Sequence, residues 1–152
     1  MENITTEFVY SATITVGEVQ ELGSVPAGRR RIIPITGGHF EGPNLSGEIL
    51  PGGADWQIVR ADGSAQLEAR YTMRTDAGAL IYVENKGYRH GPAAVMARLA
   101  AGEEVDPADY YFRATPVFEA SDPTLIWLTQ TIFVATGTRA PDAVLLDVHA
   151  VR

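Results

Sequence analysis

Short runs in which apolar and polar residues alternate, separated by glycine-rich turns, dominate the chain. Phe8, Tyr10, Ala12, Ile14 and Val16 interleave with Val9, Ser11, Thr13 and Thr15, a period of two that predicts a half-buried strand. Arg29 to Thr36 is a second run, with Pro34 placing it at an edge or a bulge. Leu45 to Leu50 ends at Pro51-Gly52-Gly53, and Asp55 to Arg60 ends at Ala61-Asp62-Gly63. Gln66 to Thr75 and Ala79 to Asn85 flank Asp76-Ala77-Gly78, a loop with glycine last that suits a type I turn plus a bulge. Asn85-Lys86-Gly87 reads as the end of that strand. Tyr110 to Glu119, Leu125 to Ala135 and Ala143 to Val151 complete a set of about nine or ten strands, a spacing typical of a sandwich or barrel.

One segment leaves the alternation. Pro92 to Gly102 is rich in alanine and predicts a helix, with Pro92 in its first turn and Gly102 at its C-terminal cap. Val95 and Leu99 share one face of it, with Met96 beside them. Asp106-Pro107-Ala108-Asp109 suits one further helical turn. No linker or repeat interrupts the pattern. The expected architecture is therefore all-β: one domain over residues 1–152, an antiparallel closed β-barrel with one short helix.

Composition narrows the partners. The net charge of -7 argues against nucleic acid and against an anionic membrane surface. Eleven of the 12 basic residues are Arg, the better partner for bidentate carboxylate pairing, and only Lys86 is Lys. The absence of cysteine excludes disulfides, zinc-thiolate sites and cysteine nucleophiles. Met1 to Tyr10 lacks a basic region followed by an apolar run, and no stretch approaches the ~18 apolar residues of a membrane span. A cytoplasmic protein with no membrane partner is the expectation.

Motifs for familiar chemistry are missing. Gly37-Gly38-His39-Phe40-Glu41-Gly42 has the glycines of a phosphate loop, but neither a helix nor a Gly-Lys-Ser/Thr triplet follows, so a strand-connecting loop is the better account. None of the five serines lies in Gly-x-Ser-x-Gly. His39, His90 and His149 form no metal-binding spacing, and no metal or cofactor is expected. The strands are more informative. Leu67, Ala69, Tyr71 and Met73 occupy one face of a strand, and Glu68, Arg70, Thr72 and Arg74 the other. Two phases stay open: the polar faces meet water and pair Arg with Glu across strands, or they line a pocket.

Several segments together resemble one family. They are Gly38-His39-Phe40-Glu41-Gly42-Pro43, Leu50-Pro51-Gly52-Gly53-Ala54-Asp55-Trp56, Ala69-Arg70-Tyr71, Thr75-Asp76-Ala77-Gly78 and Ile81-Tyr82-Val83. Tyr110-Tyr111-Phe112-Arg113, Phe118-Glu119, Trp127-Leu128 and Gly137-Thr138-Arg139 continue the order. The chain resembles, from about Thr5 to Arg152, the bacterial and fungal family carrying domain of unknown function 3237 (DUF3237), also called uncharacterised protein family 0311 (UPF0311). The resemblance implies a compact antiparallel β-barrel and assigns no reaction. Ala77 interrupts the Asp-Asp-Gly turn frequent in the family, so no functional carboxylate is placed there.

Two functional readings follow, both with a small-molecule ligand. In the first, the protein is an enzyme doing proton-transfer chemistry (isomerase, lyase or cyclase) without a cofactor on a partly apolar carbonyl compound. Asp55 is the base, its pKa raised by the adjacent Trp56, and Tyr82 or Tyr111 is a proton donor. Arg70 and Arg113 hold a carboxylate or enolate. His39, Trp56, Tyr111, Arg113 and Trp127 supply further substrate contacts. In the second, the same residues bind an apolar metabolite without converting it. A homodimer through Ile126, Leu128, Ile132 and Val134 is compatible with either.

Overall fold

In the computed structural model, which describes residues 1–152, the alternating runs become ten strands. They are β1 (Thr6–Val16), β2 (Gln20–Val25), β3 (Gly28–Glu41), β4 (Ser46–Ile49) and β5 (Ala54–Val59). The second half adds β6 (Ala65–Thr75), β7 (Leu80–His90), β8 (Tyr111–Glu119), β9 (Phe133–Arg139) and β10 (Ala143–Val151). All pairings are antiparallel. The sheet runs β1-β10-β9-β8-β7-β6, passes to β4 and β5, which both pair with β3, and closes where β3 returns to β1. Because β4 and β5 share one position, eight staves form the closed barrel, and β2 extends β3 as an outer hairpin.

The alternation sets which side chains fill the barrel. β7 alternates without a break, with Ile81, Val83, Asn85, Gly87 and Arg89 inward and Tyr82, Glu84, Lys86 and Tyr88 outward. The apolar face of β6, through Tyr71 and Met73, also points in. At one end the interior is packed with aromatic rings. Tyr10 meets Phe40 edge-on at 5.5 Å between centroids, and Phe118 meets Phe133 at 4.9 Å.

A 3₁₀ helix, Pro123–Gln130, closes that same end. Leu125 and Leu128 are its buried residues, one 3₁₀ turn apart and therefore on one face. Pro123 occupies the first turn, and Asp122 Oδ1 accepts from the Thr124 N–H at 2.9 Å. These start signals correct the expectation of a strand over Leu125 to Ala135: that run divides into this helix and β9. Leu128 is thus a core residue rather than part of an outer dimer stripe.

Three other expectations change. β2 has no clean alternation and is mostly exposed, which hid it. Gly87 does not end β7. It faces β8, where a Cβ would lie 2.3 Å from the Arg113 carbonyl oxygen, so close approach rather than a turn requires glycine. Gly37 and Gly38 belong to β3 rather than to a loop, and a Cβ on Gly38 would meet the Thr13 carbonyl oxygen at 2.0 Å.

The predicted hairpin turn forms, with Gly78 at φ 93° and the Thr75 N–H donating to the Ala79 carbonyl. The helix α1 (Ala93–Ala100) also forms. Gly102, at φ 79°, ends it: the Gly102 N–H donates to Leu99 O and the Glu103 N–H to Arg98 O, the paired bonds of a Schellman cap. A 3₁₀ turn, Pro107–Asp109, leads into β8. No helix is long and apolar enough to cross a membrane.

Candidate functional site

Small inward residues open a space inside the barrel. Across neighbouring strands, Leu67, Gly87, Ala114 and Ala135 lie in one row, and Asp55, Ala69 and Asn85 in the next. Ala69, Gly87 and Ala114 are too short to fill the centre. The result is a cavity of about 60 Å³, away from the aromatic end. Ile14, Ile35, Leu67, Phe112 and Leu146 are among its apolar walls, and Asp55, Tyr71, Asn85, Arg89 and Arg139 bring polar groups to it.

Asp55 is fixed by its neighbours. The Glu68 backbone N–H donates to Oδ1 at 2.8 Å, and Gln57 Nε2 donates to Oδ2 at 3.3 Å. Gln57, fully buried, accepts in turn from Arg31 Nη1 at 2.9 Å, and Arg31 pairs with Glu21 at 3.1 Å. Burial raises the Asp55 pKa. The two hydrogen bonds and the charges of Arg89 and Arg31 oppose that rise without cancelling it.

Arg89 is 8% exposed and makes no ion pair, and its Nε has no hydrogen-bond partner. Its guanidinium lies 5.6 Å from the centre of the Phe112 ring. That ring rests on Gly137, where a Cβ would come within 2.5 Å of it. Burial, then the like charge of Arg139, brings the Arg89 pKa down to about 10. Arg139 is shifted down too, by burial first and Arg31 second. Its own ties are to backbone and phenol: Nη1 donates to Ala143 O at 3.2 Å, and its N–H donates to Tyr110 Oη at 3.0 Å. Tyr71 Oη and Asn85 Oδ1 are buried without partners beside the same cavity. Burial pushes the Tyr71 phenol upward, so it stays protonated and able to donate.

Of the eight side chains singled out from the sequence, Asp55 alone lines the cavity. Arg70 sits on the outer face of β6, pairing with Glu68 at 3.0 Å and Glu84 at 3.8 Å. Tyr82 is also on the outside, its hydroxyl donating to Glu84 at 2.9 Å. The expected meeting of Asp55 with Arg70 and Tyr82 does not occur, because successive strand residues face opposite sides. For the same reason Trp56, 38% exposed, points away from the Asp55 carboxyl, and the barrel interior rather than that ring desolvates it. Tyr111 stacks on His90 outside at 4.9 Å, and the Arg113 guanidinium lies 5.6 Å from the centre of the Tyr111 ring. His39 is exposed on β3, away from Asp55. Trp127 packs on Phe133 at the closed end, 6.0 Å between ring centres.

Arg31, Gln57, Asn85, Arg89 and Arg139 were not singled out from the sequence. The signal for Asn85 and Arg89 was present: continuing the Ile81, Val83 alternation past Gly87 places both inside. No three His, Asp or Glu side chains cluster at metal-binding distance.

A family model described as a protein of unknown function (DUF3237) matches residues 4–151. UPF0311 protein RPA1785 of Rhodopseudomonas palustris is 46% identical over 146 residues, covering 96% of this chain and 95% of that protein. Its crystal structure matches with a TM-score of 0.97 over the whole of both chains at 44% identity. A β-barrel-like protein from Acinetobacter baumannii gives a TM-score of 0.88 at 47% identity, covering 100% of this chain and 98% of that one. More distantly, the hydroalkoxylation enzyme phnH of Penicillium herquei is 34% identical over 77 residues, 51% of each chain. An enzyme from Penicillium herquei shares the fold with a TM-score of 0.74 at 21% identity, covering 100% of this chain and 97% of that one.

Proposed function

The chain belongs to the DUF3237 family, and from that premise we propose that it is an enzyme moving protons on a small, partly apolar compound, with Asp55 as the acid/base group. The observation that carries this reading is the position of Asp55: a carboxyl with a raised pKa, held by Glu68 and Gln57 at an otherwise largely apolar cavity. A carboxyl whose pKa is raised by burial exchanges protons with a substrate more readily than an ordinary surface aspartate. Isomerisation, dehydration and cyclisation all need only such an exchange. The relative named a hydroalkoxylation enzyme supports the cyclisation branch, in which an O–H adds across a C=C bond. In that step the Asp55 carboxyl protonates one alkene carbon while the substrate's hydroxyl oxygen bonds to the other. The hydroxyl proton then returns to the carboxylate, so no atom is lost.

The test is a deuterium-incorporation screen by NMR in D₂O. The compounds are small enones and alkenyl alcohols or phenols that raise the protein's melting temperature. Wild-type protein should place deuterium on carbon in at least one of them. Asp55→Asn, where Oδ1 can still accept from Glu68, should fold and lose on the order of 10²-fold or more in that rate. Full activity in Asp55→Asn would sink the assignment. Stabilisation by ligand with no exchange in any compound would leave the non-catalytic binder as the better reading.

A further inference from the structure

We propose that the cavity holds an anion-binding subsite built from Arg89 and Arg139, so that the molecule it accepts is a small monoanion: a carboxylate, an enolate or a phenolate. The inference rests on the cavity assigned above and deepens that reading by naming the charge class of its ligand.

Three independent features converge on this subsite. First, the charges near the cavity do not balance. Arg89 and Arg139 both line it and neither pairs with a carboxylate, whereas seven other arginines do. Asp55 is the one acidic side chain among the lining residues, and its hydrogen bonds come from Glu68 and Gln57 rather than from either arginine. A buried cation without a partner is costly, and it is normally matched by an opposite charge.

Second, hydrogen-bonding capacity is left over where a ligand would sit. Arg89 Nε, Tyr71 Oη and Asn85 Oδ1 are buried and unpartnered, and they belong to residues that line the cavity and are 8%, 3% and 7% exposed. Buried polar atoms are nearly always satisfied, and three of the four orphans in the protein belong to residues lining this one space, the fourth being Tyr10 Oη elsewhere in the core. Two of them are donors, matching the lone pairs of an acidic oxygen. Asn85 Oδ1 is an acceptor, matching a hydroxyl on the same molecule.

Third, the remaining walls are apolar and the space is small. Phe112 carries the Arg89 guanidinium on its face, and Ile35 and Leu146 line the cavity with it. At ~10–15 Å³ for each water-sized occupant, about 60 Å³ takes a group of roughly four to six non-hydrogen atoms. That fits the acidic end of a molecule with a short apolar body.

Matched pairs of probes test the proposal by thermal shift and calorimetry: propionate against propanol, and lactate against propane-1,2-diol. Each anion should bind the wild-type protein at least tenfold more tightly than its neutral partner, with lactate ahead of propionate. Arg139→Gln should weaken the anions tenfold or more and leave the neutral probes unchanged. Arg89→Gln should do the same and serves as the second variant if Arg139→Gln fails to fold. Neutral probes binding as tightly as anions, or anion affinities unchanged in both variants, would overturn the subsite. Asp55→Asn separates the two readings. It should keep anion affinity, since Arg89 and Arg139 are unchanged, while losing turnover. Anion selectivity in a protein that exchanges no deuterium keeps the subsite and removes the catalytic reading. Turnover of neutral compounds with no anion preference does the reverse.

Discussion

At the scale of single residues, Arg89 is the most exposed to test, because its burial works against the fold. A guanidinium whose pKa falls to about 10 on folding costs on the order of 3 kcal/mol at neutral pH. The sign follows from proton binding. Above pH about 10 the folded protein releases the Arg89 proton before the unfolded chain does, so stability attributable to this residue rises with pH there. Arg89→Met should therefore raise the melting temperature at neutral pH, by about 1–3 kcal/mol of stability. That advantage over wild type should shrink as pH climbs past about 10. Chemical denaturation of both proteins at neutral and alkaline pH measures the two differences. A strongly destabilised Arg89→Met would mean that the side chain supports the barrel rather than a ligand. Gln57 differs from Arg89 in this respect. It is buried still more completely but bridges Arg31 to Asp55, so its polar atoms are used.

At the scale of elements, the 3₁₀ helix Pro123–Gln130 does for the barrel what a plug does, and Leu128 is its inward point at 1% exposure. Leu128→Ala should destabilise the protein by about 2–5 kcal/mol. Urea unfolding followed by tryptophan fluorescence reads this, since Trp127 is the adjacent residue. Most of the strands, the hairpin at Gly78 and the helix α1 were legible in the sequence because period-two alternation and glycine placement act locally; β2, without alternation, was not. The plug was not. Leu125, Ile126, Trp127 and Leu128 form a continuous apolar run, which suits a buried strand and a short helix equally. Only the Asp122-Pro123 start signal favoured the helix. The site divided the same way. Asp55 stood in a recognisable segment, Leu50 to Trp56. Asn85 and Arg89 were legible only by carrying the β7 alternation past Gly87, and Arg139 stood in the Gly137-Thr138-Arg139 segment without a sign that it faces the same space. Arg70 and Tyr82 were chosen for their chemistry, and strand phase put them outside.

At the scale of the whole molecule, the outer surface and the cavity differ in charge. The chain carries -7 overall, and the outer faces pair Arg70 with Glu68, Arg74 with Glu48 and Arg152 with Glu7. Such exposed pairs add little stability each, while the inward arginines face apolar walls. Closure of the barrel has a different cost. β1 meets β3 early in the chain, but its other edge must wait for β10, with Thr6 opposite Val151. Until the last strand is in place, a nearly finished sheet carries two unpaired edges. Contacts of such long sequence separation form slowly, and open edges pair with whatever strand is nearest. Dilution from urea should therefore return soluble folded protein in high yield near ~1 μM and in falling yield towards ~100 μM, as light scattering would record. Yield independent of concentration would mean that β10 docks before neighbouring chains can meet. The seam between β1 and β10 thus makes the order of assembly, and not only the finished barrel, a property on which selection can act.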